Sequence, residues 1–478
     1  MPRTLWRALA VLLLASAASA APLTLAMPRI ANTYFADEKV QMTVLADGEH
    51  RTVSYRVTDY WKALRKKGQI EVGQREPVAL DLGKGLGYGF YQIVLKDRNG
   101  SVSDRFCVIP RPYEEPGDYT IFGLHPRDGA TEEDLGAAAQ MGVRVVRQNL
   151  PWPALEPERG VWQSELTDEW SRLARKYGMQ MMFVLGYTPR WTGEKPENYL
   201  DTWANAAWFA WHPKEPNAWG LYLDRIMDFA RGQTVTWPGD PVLPPEGGPA
   251  QQQLPLAHSW ELWNEADIMF YTGDWGRYND LLHMAWAAGR RDLPNVPMIY
   301  GGSTGNFIAM GVTASGSARY CFDYIGLHTG GDVEEALRVW YGGSQQIPWV
   351  VGAPRETMHT ECYAQGRRGT IWPDYNETPT ELRRTYLTLK AWREAGFYRS
   401  ACLGGWIQVP GDMLPGTSLL LRHRGHLCPT PLYPTFAASR KLLSDATEVG
   451  PVNLGPNITA HLFLKHGKPM LSAWSDDG

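Results

Sequence analysis

From about residue 119 the apolar and polar positions settle into an alternation that repeats eight times. Short apolar runs with strand character recur at 120–124, 143–147, 180–185, 259–263, 297–301, 324–327, 357–361 and 400–403. Stretches with helical spacing separate most of them. In 217–230, for example, Leu221, Ile226, Met227 and Phe229 are apolar residues at helical spacing. Further helices are predicted over 132–141, 167–177, 278–288, 333–340, from 378 to about 394, and 433–443. Boundary residues support these limits. Thr131 can accept from the first turn as an N-cap, and Gly142 and Gly178 can adopt the left-handed conformation that ends a helix. Thr378-Pro379-Thr380-Glu381 reads as a capping box with proline at the first helical position. Eight strand–crossover units over roughly 330 residues predict an α/β protein built on a (β/α)8 TIM barrel. A doubly wound open sheet competes with this, but no glycine-rich phosphate loop follows the first strand.

Before this region the rhythm is different. Residues 39–45, 52–57, 77–82, 90–95 and 106–109 read as short strands with turn signals between them, which predicts an N-terminal antiparallel β-sandwich domain. Asn99-Gly100 marks a hairpin, because both residues tolerate positive φ. Pro110-Arg111-Pro112 closes the domain, since proline cannot continue a central ladder. The stretch 234–255 lacks periodicity and reads as an inserted loop. At the far end, 459–464 and 469–474 flank His466-Gly467 as a short C-terminal β segment. It would either join the sandwich or open a further β domain. The expected division is 1–20, 21–112, 119–445 and 446–478.

The first twenty residues do not belong to the fold. Arg3 and Arg7 precede the short apolar run 9–15, and Ala18-Ser19-Ala20 fits a small-residue cleavage site. This is the pattern of a Sec-type signal peptide cut after Ala20, which predicts a secreted or periplasmic protein. No second long apolar run follows, so no membrane span is expected in the mature chain. The net charge of −4 lacks the basic face that a nucleic-acid partner needs. The five cysteines, Cys107, Cys321, Cys362, Cys402 and Cys428, are widely spaced and odd in number. They do not form a disulfide framework, and no spacing resembles a zinc site. Cys321, Cys362 and Cys402 read as buried thiols on strands. No metal or organic cofactor is expected, and the oligomeric state is open.

Two features bring chemistry into view. The chain of 478 residues carries 21 Trp, 22 Tyr and 13 Phe, which suits either aromatic packing or platforms for the apolar face of a sugar. Position separates the two. Trp152, Trp191 and Trp406 fall in loops after strands, where contact with a sugar is expected, whereas Trp170, Trp286 and Trp392 fall within helices. The second feature is a pair of acids. Glu265 ends the fourth strand, in Glu261-Leu262-Trp263-Asn264-Glu265, and Glu361 ends the seventh, in His359-Thr360-Glu361. Strands four and seven lie nearly opposite in an eight-stranded barrel, and active sites occupy the C-terminal ends of barrel strands. Two opposed carboxylates are what glycoside hydrolysis requires.

These motifs resemble the clan A glycoside hydrolases, a (β/α)8 superfamily of retaining enzymes, and most of all glycoside hydrolase family 39 and its neighbours. So does the stretch from Arg147 to Trp162, with Leu155-Glu156-Pro157 and Gly160-Val161-Trp162. The resemblance covers about residues 119–445. It implies that Glu265 is the acid/base and Glu361 the nucleophile. It further implies that Asn264 bonds the substrate 2-hydroxyl, that Arg147 lies under the nucleophile, and that Trp406 floors the subsite where cleavage occurs. His328, ending strand six, is a further carry-over. Ala266 stands where the family commonly has proline, and no tyrosine aligns shortly after strand six. The implied protein is a secreted retaining β-glycosidase acting on a carbohydrate. An endo-acting glycanase of the same clan and a non-catalytic carbohydrate-binding barrel are the other readings.

Overall fold

The computed structural model describes residues 23–46, 50–73, 76–112, 121–126, 131–195, 210–236, 253–267, 270–303, 316–329, 357–362, 398–403, 407–408, 418–423 and 425–475. The chain divides into two compact units. One comprises Met1–Ile109 with Gly425–Pro429, the other Pro110–Arg424 with Thr430–Gly478.

The first unit contains two sheets. Leu23–Ala26, Val40–Ala46 and Val78–Gly83 form a three-stranded antiparallel sheet. Thr33–Phe35, Gly100–Ile109, Gly89–Asp97, Arg51–Asp59 and Leu64–Val72 form a five-stranded one. Both sheets contribute to a single apolar cluster that includes Val44, Val53, Val57, Ile93, Leu95 and Phe106, all fully buried. One strand pair departs from the expected antiparallel pattern, because Thr33–Phe35 runs parallel to Gly100–Ile109. The predicted hairpin is present, with Asp97 opposite Gly100. Its turn is closed by Asp97, whose Oδ1 accepts from the backbone N–H groups of Asn99 at 2.7 Å and Gly100 at 2.9 Å. It therefore owes its closure to an aspartate side chain rather than to positive φ at Asn99.

In the second unit, eight parallel strands close into a barrel. In chain order they are Gly123–Leu124, Val145–Pro151, Gln180–Gly186, Ala257–Asn264, Met298–Ser303, Tyr324–Thr329, Thr357–Cys362 and Tyr398–Leu403. Each pairs with the next, and the eighth returns to the first. Described helices of this unit are Glu132–Gln140, Glu165–Tyr177, Pro216–Ala230, Trp275–Asp292 and Leu432–Leu443, with a short turn of helix at Trp152–Leu155. The helices predicted over 333–340 and from 378 lie outside the described residues. Thr131 caps its helix through a reciprocal pair of bonds with Asp134. Gly142 and Gly178 take φ of 84° and 63°, as their positions after helices demand.

The insertion after Pro216–Ala230 is not a simple loop. Its two ends, Thr234–Thr236 and Gln253–Pro255, pair as antiparallel strands. At the C-terminus, Thr447–Pro451 joins the predicted hairpin, giving a three-stranded sheet with Ile458–Lys465 and Lys468–Ser475. The hairpin turn takes φ of 50° at His466 and 72° at Gly467. Cys321 is a buried thiol in a bend rather than on a strand. Cys362 and Cys402 lie on strands.

One close approach fixes the height of the fourth strand against the fifth. A Cβ added at Gly301 would sit 1.8 Å from the Leu262 carbonyl oxygen, an overlap of backbone that no rotamer relieves. Gly301→Ala is expected to destabilise the protein by about 2 kcal/mol or more. Chemical denaturation measures this, and a parental midpoint would show that the two strands can separate without penalty.

Candidate active site

The described charged groups of the barrel interior gather around Arg147 on the second strand. Its guanidinium is completely buried. Nε donates to Glu261 Oε2 at 2.6 Å, Nη2 donates to Asn264 Oδ1 at 2.7 Å, and Nη1 lies 3.4 Å from Glu361 Oε2. His125, just past the first strand, completes the shell. Its Nε2 accepts from Nη1 at 3.2 Å, and its Nδ1 lies 3.3 Å from the Arg147 carbonyl. Burial and the neighbouring Arg147 hold His125 down to about 4, so it is neutral at pH 7 and can accept.

Two departures from regular strand geometry bring these groups together. Residues three apart on a strand face opposite ways, yet Glu261 and Asn264 both bond Arg147. Trp263 lies between them with φ 64°, and this left-handed residue turns the chain so that Asn264 faces inward. Glu265 follows with φ 44°. Non-glycine residues in this region cost about 1–3 kcal/mol each. The cost at Trp263 is met by packing. Its indole is fully buried against Tyr271 at 5.3 Å and Trp219 at 6.3 Å, and its Nε1 donates to the Phe270 carbonyl.

The second departure is on the seventh strand. Leu327 pairs with His359, and His328 with Glu361, which leaves Thr360 as an extra residue. Such a bulge lets adjacent side chains reach the same side. Thr360 Oγ1 donates to Glu261 Oε1 at 2.7 Å, while Glu361 extends toward Arg147.

His328, on the sixth strand, joins the two halves. Its Nδ1 lies 2.8 Å from Glu265 Oε1 and 3.5 Å from Glu361 Oε2, and its Nε2 lies 3.1 Å from Thr360 Oγ1. One carboxylate oxygen of Glu265, one of Glu361 and one His328 nitrogen all lie within 4.8 Å of one another. Burial opposes charge on this imidazole, but Glu361, Glu261 and Glu265 outweigh burial and raise it to about 9. Protonated, it donates from both nitrogens. Glu261 is the converse case. Burial opposes its ionisation, but Arg147 and His328 prevail and hold it down to about 2. His359, buried and next to the cationic His328, is held down to about 3.

The fold is similar to that of a family 39 glycoside hydrolase. The solved structure of that enzyme, from the gut symbiont Bacteroides cellulosilyticus WH2, has a TM-score of 0.68 at 16% identity, covering 95% of this chain and 89% of that one. A glucosidase from Croceicoccus marinus has a TM-score of 0.47 at 11% identity, over 74% and 77% of the two chains. A family 30 subfamily 8 xylanase from Clostridium acetobutylicum has a TM-score of 0.47 at 15% identity, over 73% and 79%. By sequence, no family model matches the chain and no curated protein matches it.

Of the residues singled out from sequence, Glu265, Glu361, Asn264, Arg147 and His328 therefore lie in one network. Trp152 does not belong with them and is a correction. It is fully buried, stacks on Tyr222 at 5.1 Å and donates from Nε1 to Glu156 Oε2 at 2.8 Å, so it is core and offers no face to a sugar. Trp191 is half-buried, meets the edge of Trp152 at 5.7 Å and carries Arg159 over its ring at 5.5 Å. Trp406 lies outside the described residues. Sequence reasoning missed the roles of Glu261, Thr360 and His125. Glu261 had one available signal, an acid set between Trp260 and Leu262 within a strand.

Two outcomes follow from this network. Glu261→Gln leaves the Arg147 guanidinium short of a buried counter-charge, and is expected to cost about 3 kcal/mol of stability by denaturant titration. A loss within about 0.5 kcal/mol of zero would show that Arg147 is balanced without it. His328 has a folded value near 9 against an ordinary value of 6.5. Its contribution to stability is therefore complete below pH 6.5 and lost as pH rises through about 9. Denaturation midpoints measured across pH 6–10 should fall over that window in the parent and fall less in His328→Gln; parallel curves would count against a charged His328.

Proposed function

We propose that this protein is a secreted retaining glycoside hydrolase, a (β/α)8 barrel with an N-terminal β-sandwich module, cleaving β-glycosidic bonds. The observation that carries this reading is the approach of Glu265 and Glu361, from strands four and seven, to within 4.8 Å at one end of the barrel. In retaining enzymes the two carboxyl groups stand about 5–5.5 Å apart, whereas an inverting pair leaves a wider gap for water.

Position in the network supports the division of roles. Three carboxylates, Glu261, Glu265 and Glu361, face two cations, Arg147 and His328. Arg147 faces Glu261 and Glu361, and His328 donates to Glu265. Glu261 is locked as an anion by Arg147. Glu361 lies against the same guanidinium, which suits a nucleophile that must stay ionised. Glu265, with its side chain one-fifth exposed, is left to exchange a proton with substrate. Glu361 then attacks the anomeric carbon as Glu265 protonates the departing glycosidic oxygen. In the second step Glu265 takes a proton from water, the water attacks the same carbon, and Glu361 is released. Asn264 has its oxygen engaged by Arg147 Nη2, so its amide N–H groups are oriented for a substrate hydroxyl. The leader over residues 1–20 supports export.

Aryl β-glycosides test the scheme. Glu361→Gln is expected to lose at least about 10³-fold in kcat while still binding substrate, and Glu265→Gln to lose most on substrates with poor leaving groups. Proton NMR of the first product formed should show the β-anomer. An α-anomer as first product, or near-normal turnover by Glu361→Gln, would sink the mechanism; substrate binding without any turnover by the parent would favour a carbohydrate-binding barrel.

A further inference from the structure

A second cluster of ligating side chains lies in the other unit. Asp104, on strand Gly100–Ile109, meets His426 and Cys428 on strand His426–Pro429. These belong to the segment Gly425–Pro429, which packs with the N-terminal unit although it is distant in sequence. Asp104 Oδ2 lies 3.2 Å from His426 Nε2, and Asp104 Oδ1 lies 3.4 Å from Cys428 Sγ. One oxygen, one nitrogen and the sulfur all fall within 4.8 Å of one another. Zinc bonds of about 2.0–2.3 Å in a tetrahedron give ligand–ligand edges of about 3.3–3.8 Å, so three donor atoms already within 4.8 Å of one another need only a small contraction to hold the ion.

The surroundings suit a metal as well. Asp104 and Cys428 are buried, while His426 is partly exposed, leaving one approach open to solvent. Asn32 braces the set. Its Nδ2 donates to the Arg105 carbonyl at 2.8 Å and lies 3.5 Å from both Asp104 Oδ1 and Cys428 Sγ. The backbone N–H of Arg105 donates to Asp104 Oδ1 at 2.7 Å. Ligands whose free atoms are fixed by such outer contacts are typical of metal sites. Asn32 itself sits in a left-handed turn with φ 50°, which aims its amide at the cluster.

We propose that Asp104, His426 and Cys428 form a structural site for a zinc-like divalent ion, with water as the fourth ligand. Oxygen, nitrogen and sulfur donors together select zinc over magnesium or calcium. On binding, the Cys428 thiol gives its proton to solvent and the thiolate sulfur bonds the metal. The ion would cross-link positions 324 residues apart in sequence, and would tie Gly425–Pro429 to the N-terminal unit. Closing so long a loop is where a cross-link restricts the unfolded chain most. The same separation explains why spacing in the sequence shows no metal motif.

Cobalt titration of the full-length protein, reduced and stripped with chelator, tests this. One equivalent of Co²⁺ should bind with a thiolate charge-transfer band in the near ultraviolet. Zn²⁺ should displace it and raise the thermal midpoint by a few degrees. Cys428→Ser should abolish the band. His426→Gln, at the exposed ligand, should weaken binding about tenfold or more with an unchanged circular dichroism spectrum. If Cys428→Ser fails to fold, His426→Gln decides. The absence of a band and of any thermal shift in the parent would overturn the proposal, leaving an ion pair with a neighbouring thiol. A band that survives in folded Cys428→Ser, or binding unaffected in His426→Gln, would overturn it too.

Discussion

The barrel interior depends on one buried cation. Arg147 is taken wholly out of water, and a guanidinium in that position is tolerated only if acceptors surround it. Glu261 supplies the closest, Asn264 the second and Glu361 the third. Each comes from a different strand position, so the positions of three side chains are set by a single planar donor. The same arrangement orients chemistry. Glu261, pressed against Arg147, stays ionised, and an amide whose oxygen is engaged must present its nitrogen elsewhere.

Regular strands could not build this. Alternation sends neighbours to opposite sides, and the network needs Glu261 with Asn264 and Thr360 with Glu361 on one side. Two local irregularities solve the problem: the left-handed backbone at Trp263 and the bulge at Thr360. Strain at a site persists only where the surroundings over-determine it. Here the aromatic cage of Trp263 and the close backbone approach at Gly301 do so.

Part of the abundance of tryptophan has a structural explanation. Trp152, Trp219, Trp260 and Trp263 are fully buried. Indole is large and apolar but carries one donor, and three of these four have that donor satisfied: Trp152 by Glu156, Trp219 by the Leu281 carbonyl and Trp263 by the Phe270 carbonyl. Loop position after a strand is therefore a poor guide to sugar contact, as Trp152 demonstrates. Its strand ends in a single turn of helix, Trp152–Leu155, that folds the ring back into the core.

What the sequence determined by itself was what local physics encodes. Apolar periodicity marked all eight barrel strands, because burial writes a strand or helix period directly into the chain. Caps such as Thr131 and Gly178 were legible because they satisfy backbone groups within a few residues. The Glu265 and Glu361 motifs were legible because they terminate recognisable strands. What tertiary structure decided was everything that pairs residues far apart. Arg147 with Glu261, His328 between two acids, and Asp104 with His426 and Cys428 leave no trace in spacing, since closing a barrel brings distant positions together at no fixed interval. Backbone reversals such as Trp263 belong to the same class: a tryptophan has no intrinsic preference for positive φ, and takes it only because the packed barrel leaves it nowhere else to go.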